Sequence, residues 1–192
     1  MKSFIVAALA ANAAAQAAAD FPIRYTGTGL DASGVTIKDG IINASGQRFW
    51  SGKPAQTACG RQQDPKSAVC ESNDKNNKTT IFSYAPSADG SLKLDSTWGH
   101  GQKVYVAADG ALAFENDGNI PEGGEVLGFL NGNDVLLFES KEWLSCPVEG
   151  EEAWQLFAQS KSSRTDCVNT TFKLNRVKET SEGGPWSAFE YI

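Results

Sequence analysis

The chain has 192 residues, enough for one domain with a core of its own. Seventeen Lys and Arg against 23 Asp and Glu leave a net charge of −6, a balance that repels nucleic acid. The densest basic stretch, Lys173 to Lys178, holds three cations in six residues and reads as a solvated strip.

In chain order, Lys2 precedes a mostly apolar run from Phe4 to Ala15, and small residues follow at Ala15, Ala17 and Ala19. This is the pattern of a secretory signal peptide over residues 1–19, leaving 20–192 as a single β-rich extracellular domain. The run is shorter than the roughly twenty residues a membrane span requires. No later apolar run reaches that length, so no transmembrane segment is expected. Removing the leader takes Lys2 and no acid, so the remainder is one charge more negative.

Beyond the leader, 19 glycines with Asn, Asp and Ser beside many of them mark frequent turns. Short strands are expected at 35–37, 40–43 and 48–50. A hairpin is expected over 80–95, and another over 103–115 around Asp109-Gly110, a strong short hairpin signal. A third spans 126–138 around Asn131-Gly132-Asn133-Asp134. Strands at 143–146, 154–158 and 171–177 complete the set. The segment 151–160 could also pass for a helix; read as a strand, Trp154, Leu156 and Ala158 share one face while Phe157 points the other way, so it would have to be buried on both sides. The fold class is all-β: one compact antiparallel domain, barrel or β-trefoil-like, with a β-sandwich as the alternative.

Four cysteines in an exported chain imply two disulfides. Three pairings exist; Cys59–Cys70 and Cys146–Cys167 are favoured because each closes a short polar loop. Neither spacing suits zinc, so no metal site is expected. Three N-x-[ST] sequons, at Asn43, Asn77 and Asn169, are candidate glycosylation sites. Asn77 lies in the most polar stretch, and Asn43 follows the apolar pair Ile41-Ile42.

Trp50, Trp143 and Trp154 lie on expected strands and read as core. Trp98, in a polar glycine-flanked loop, is the candidate ligand contact. His100 is the single histidine. No G-x-S-x-G elbow or phosphate-cradling glycine motif accompanies it, and with the cysteines oxidised no thiol nucleophile remains. No catalytic residue and no cofactor is expected. Carboxylate chemistry would have to draw on Asp109, Glu115, Glu139 or Glu142.

The segment Ile41-Ile-Asn-Ala-Ser-Gly-Gln-Arg-Phe-Trp-Ser-Gly52 is followed by Thr57-Ala58-Cys59, Cys70 and Thr79-Thr80-Ile81-Phe82. Then come Gly101-Gln-Lys-Val-Tyr-Val-Ala-Ala-Asp-Gly-Ala-Leu112, Ile120-Pro-Glu-Gly123, Trp143-Leu-Ser-Cys-Pro147 and Trp154. This pattern resembles the fungal cell-wall proteins of the PhiA type and their IgE-binding relatives. It covers most of residues 35–160 and every cysteine but Cys167. The resemblance implies a secreted or wall-associated fungal glycoprotein, linked to hyphal or conidial development and with allergen character, and it supplies no catalytic residue. The expected function is therefore a non-catalytic cell-wall protein with cell-wall polysaccharide as its candidate partner. The alternatives are a secreted carbohydrate-active hydrolase using two carboxylates and a secreted effector that binds a host protein.

Overall fold

A computed structural model describes residues 23–58, 79–84, 90–96, 101–116, 118–178, 188 and 190–192. The expected leader, the Cys59–Cys70 pair, Asn77, Trp98 and His100 lie outside the described residues. The described strands are β1 (Ile23–Leu30), β2 (Thr36–Ser45), β3 (Arg48–Ser51), β4 (Thr57–Ala58), β5 (Phe82–Tyr84), β6 (Leu92–Leu94) and β7 (Gln102–Val106). They continue with β8 (Leu112–Glu115), β9 (Phe129–Gly132), β10 (Val135–Phe138), β11 (Trp143–Pro147), β12 (Trp154–Ala158), β13 (Val168–Arg176) and β14 (Glu190–Tyr191). No helix among the described residues is long and apolar enough to cross a membrane.

The strands close on themselves. From β1 the pairing runs through β5, β6, β7, β8, β3, β12, β11 and β13, and β13 then pairs back onto β1, making a nine-strand antiparallel barrel. β2 is a second link, hydrogen-bonded to both β1 and β3. The β9–β10 hairpin extends from β13, and β14 pairs with β4 apart from the main sheet. Of the architectures expected, the barrel is the one formed. A sandwich would need two separate sheets, and the strand order carries no threefold recurrence of the trefoil kind. One disulfide, Cys146–Cys167, is described.

Turn chemistry sets the local register. Gly46 and Gln47 both have positive φ, so the two-residue turn between Ser45 and Arg48 twists with its strands. Asn133 and Asp134 do the same between Gly132 and Val135. In the β7–β8 hairpin, Gly110 takes positive φ and the Asp109 Oδ1 accepts from the Ala111 amide, as the Asp-Gly pair predicts. Glu139 and Ser140 are also left-handed, at φ 50° and 63°, with Phe138 and Lys141 bonded across the turn. Nothing in that residue pair announces such a turn.

The interior is a chain of aromatic rings. Tyr191 meets Phe114, Phe114 meets Phe49, Phe49 stacks on Phe82, and Phe82 meets Phe172 edge-on at 5.4 Å. Phe172 then contacts Trp143, which packs on Phe129 and Phe138. Edge-to-face and offset contacts of this kind each contribute on the order of 1 kcal/mol beyond area burial. Trp143 is fully buried, and its indole Nε1 donates to the Leu136 carbonyl at 2.8 Å, so its one polar atom is satisfied.

Two findings depart from the expected elements. β1 was not among them. Its inward positions are Tyr25, Gly27 and Gly29, so two of the three carry no side chain and the alternation is invisible. The reason is steric: a Cβ on Gly27 would overlap the Phe172 ring. The second concerns tryptophan. Trp50 and Trp143 are core, but Trp154 is only half-buried, with the Lys38 ammonium 5.4 Å from its ring. β12 does bury both faces. Leu156 enters the barrel, while Phe157 joins Ala111, Leu144 and Cys146 in a small outer cluster beside the disulfide.

Gly27→Ala should cost roughly 1–3 kcal/mol of stability in urea unfolding through overpacking. Adding Phe172→Leu should make the double variant less destabilised than the sum of the two single changes. Ser140→Gly, at an exposed left-handed position, should raise stability by about 1 kcal/mol in the same measurement.

Candidate functional site

A recess of about 340 Å³ opens at the end of the β7–β8 hairpin opposite its turn. Phe114 and Tyr191 close it from beneath as buried core residues, 1 % and 2 % exposed, and its polar groups are Gln47, Gln102, Glu115 and Glu190. Four separate stretches of chain bring these together: the β2–β3 turn, the start of β7, the end of β8 and β14.

Residues 190–192 hold this end of the barrel. The Tyr191 amide donates to Gln102 Oε1 at 2.7 Å, and Gln102 Nε2 donates to the Tyr191 carbonyl at 2.9 Å. The Tyr191 hydroxyl accepts from the Ile81 amide, and burial raises its pKa above the ordinary phenol value. The Ile192 amide donates to the Gln56 carbonyl, and the Gly46 amide to the Ile192 carbonyl. Gln102 is 2 % exposed with both amide atoms engaged, so it is a fixed wall rather than a free ligand group.

The rim is more open. Gln47 Nε2 donates to Glu115 Oε2 at 2.9 Å, and the Asn116 amide donates to Glu115 Oε1. Asn116 Nδ2 donates to Glu190 Oε1 at 3.0 Å, so Asn116 ties the two carboxylates together. Its own Oδ1 is buried without a partner among the described residues. Planar amides and carboxylates at such a rim can hydrogen-bond hydroxyl groups.

The acids singled out in the sequence are not brought together. Asp109 caps its turn at the far end of the β7–β8 hairpin from Glu115. Glu142 accepts from the Thr171 hydroxyl. Glu139 lies in the strained turn after β10, where Lys161 Nζ reaches both it, at 3.1 Å, and Glu125, at 2.8 Å. Only Glu115 reaches the recess, and the acid beside it is Glu190, a residue that sequence reasoning passed over. The Asn116–Glu190 bond that brings it there spans 74 residues and leaves no local signal, and β14 is two residues long. Among the described residues, no group of three or more His, Cys, Asp or Glu side chains is placed to hold a metal ion.

The described sequons differ sharply. Asn43 is 2 % exposed; its Nδ2 donates to the Lys53 carbonyl and its Oδ1 accepts from the Thr80 amide. Here the side chain acts as a piece of backbone, pinning residue 80 to β2. A glycan acceptor requires an open position. Asn169 is exposed on β13.

The neighbouring Ser160 hydroxyl and then Lys161, its ion partner at 3.1 Å, hold the Glu139 carboxyl below its ordinary value of 4.5. A carboxyl depressed by folding adds stability above its unfolded pKa and loses it as pH falls through the folded one. Glu139→Gln should therefore flatten the loss of unfolding free energy below pH 4.5 and leave the slope between about pH 6 and 8 unchanged in denaturant titrations.

Comparison with known proteins adds the family context. A family model described as PhiA-like secreted protein matches residues 30–184. The chain is 27% identical over 183 residues to the "Cell wall protein phiA" of Aspergillus fumigatus, covering 92% of this chain and 94% of that protein. The protein of the same name from A. fumigatus strain CBS 144.89 / FGSC A1163 / CEA10 matches with the same identity and coverage. No solved structure matches significantly.

Proposed function

This chain belongs to the PhiA-like secreted protein family, and on that premise we propose that it contacts neutral wall polysaccharide through the Gln47–Glu115–Glu190 recess and has no catalytic activity. It is a secreted protein of the extracellular space or cell wall. The observation that carries the reading is the recess itself, with its rim of amides and carboxylates from Gln47, Glu115, Asn116 and Glu190. Such a rim accepts hydrogen bonds from sugar hydroxyls. Its two carboxylates, with the net negative charge of the chain, disfavour acidic polymers. Hyphal or conidial development and IgE binding belong to this reading as the setting a wall protein of this family would serve.

The absence of turnover is supported by the way the acids are used. Asp109, Glu139 and Glu142 are spent on a turn, an ion pair and a strand contact. Glu115 and Glu190 are the exception, and they sustain the second reading, a hydrolase with two carboxylates in one recess.

The test uses the full secreted chain and insoluble wall glucan or chitin. Gln47→Ala and Glu115→Gln should each lower the retained fraction about tenfold, the loss of one hydrogen bond to a charged or polar ligand group. Unchanged retention in both would remove the recess from the function. Release of reducing sugar that Glu115→Gln or Glu190→Gln abolishes would instead establish the hydrolase.

A further inference from the structure

We infer that Asn169 carries an N-linked glycan in the secreted protein and that Asn43 does not, although both stand in complete sequons. On β13, Thr170, Phe172 and Leu174 point inward and are buried, whereas Asn169 and Lys173 lie on the exposed face with Thr171 half-buried between them. The Asn169 Oδ1 has one long contact, 3.4 Å from Gln159 Nε2, and its Nδ2 donates to nothing described. Thr171, the hydroxyl residue of the sequon, donates to Glu142 on the same outer surface. An oligosaccharide on Asn169 therefore projects into solvent and disturbs no ladder bond, since side chains do not take part in the β11–β13 pairing of Asn169 with Leu144.

At Asn43 the same chemistry is incompatible with the fold. Its Nδ2 is the atom to be modified, and it is buried against the Lys53 carbonyl at 2.8 Å. A sugar there would have to occupy space closed by β3 and residue 80, whose Thr80 Oγ1 accepts from the Ala44 amide and whose own amide donates to Asn43 Oδ1. Chains modified at Asn43 cannot close this part of the barrel, so the folded, exported population is unmodified there.

The transfer balances with one co-reactant, a lipid-diphosphate-linked oligosaccharide of the secretory pathway. Asn169 Nδ2 forms the bond to the anomeric carbon. The bond from that carbon to the lipid diphosphate breaks, the diphosphate leaves with its electron pair, and the amide proton passes to a base of the transferase.

The experiment is glycopeptide mapping of the full chain secreted from a fungal host. Deglycosylation by an amidase in heavy-oxygen water converts a glycosylated Asn to labelled Asp. Label is expected in the peptide containing Asn169 and not in the peptide containing Asn43. Thr171→Ala should abolish the Asn169 label and Thr171→Ser should keep it, which preserves the test if Asn169→Gln fails to fold. An unlabelled Asn169 in folded secreted protein, or a labelled Asn43, would overturn the inference.

Discussion

The Phe172 ring occupies the space that a side chain at residue 27 would fill. That one fit governs much else. It lets β13 lie against β1 over six paired residues, and that pairing is the seam at which the nine-strand ring closes. It also sets the ring of Phe172 between Phe82 on one side and Trp143 on the other, so the two halves of the aromatic interior become one connected core. Without the glycine, either the seam opens or the aromatic chain breaks at its middle. Interiors at crystalline packing density have no slack to absorb the difference.

At the other end of the same chain of rings, Tyr191 joins the interior to the recess. Its ring contacts Phe114 inside the barrel, its backbone is locked to Gln102, and its hydroxyl takes the Ile81 amide. The residues around it therefore serve two purposes. The buried faces finish the core, and the exposed rim, through Gln47, Glu115 and Glu190, presents acceptors and donors to solvent. Because Gln102 is fixed by Tyr191 and the rim groups are bonded to one another, the rim is held in place before anything meets it.

Polar side chains elsewhere show how much of this fold is held by groups acting in place of backbone. Asn43 bridges residues 53 and 80, Gln102 bridges to residue 191, and Thr170 meets Ser145 in the barrel wall at 2.8 Å. Gln102 gives the two-residue β14 both an acceptor and a donor that its short ladder lacks, and Asn43 does the same for residues 53 and 80, which lie outside the strands.

Local sequence was sufficient wherever the deciding physics was local. The Asp109-Gly110 hairpin, the two-faced burial of β12, the all-β class and the core roles of Trp50 and Trp143 follow from turn chemistry and alternation within a few residues. The cysteine count pointed to crosslinks, and Cys146–Cys167 is one. What alternation could not reveal was β1, whose inward glycines hide it, or the left-handed Glu139-Ser140 turn, which its residues disfavour. The closure of the barrel, the meeting of Glu115 with Glu190 and the burial of Asn43 were decided by tertiary structure alone. Each depends on contacts between residues far apart in the chain, and a sequence motif carries no record of which distant group will fill the space beside it.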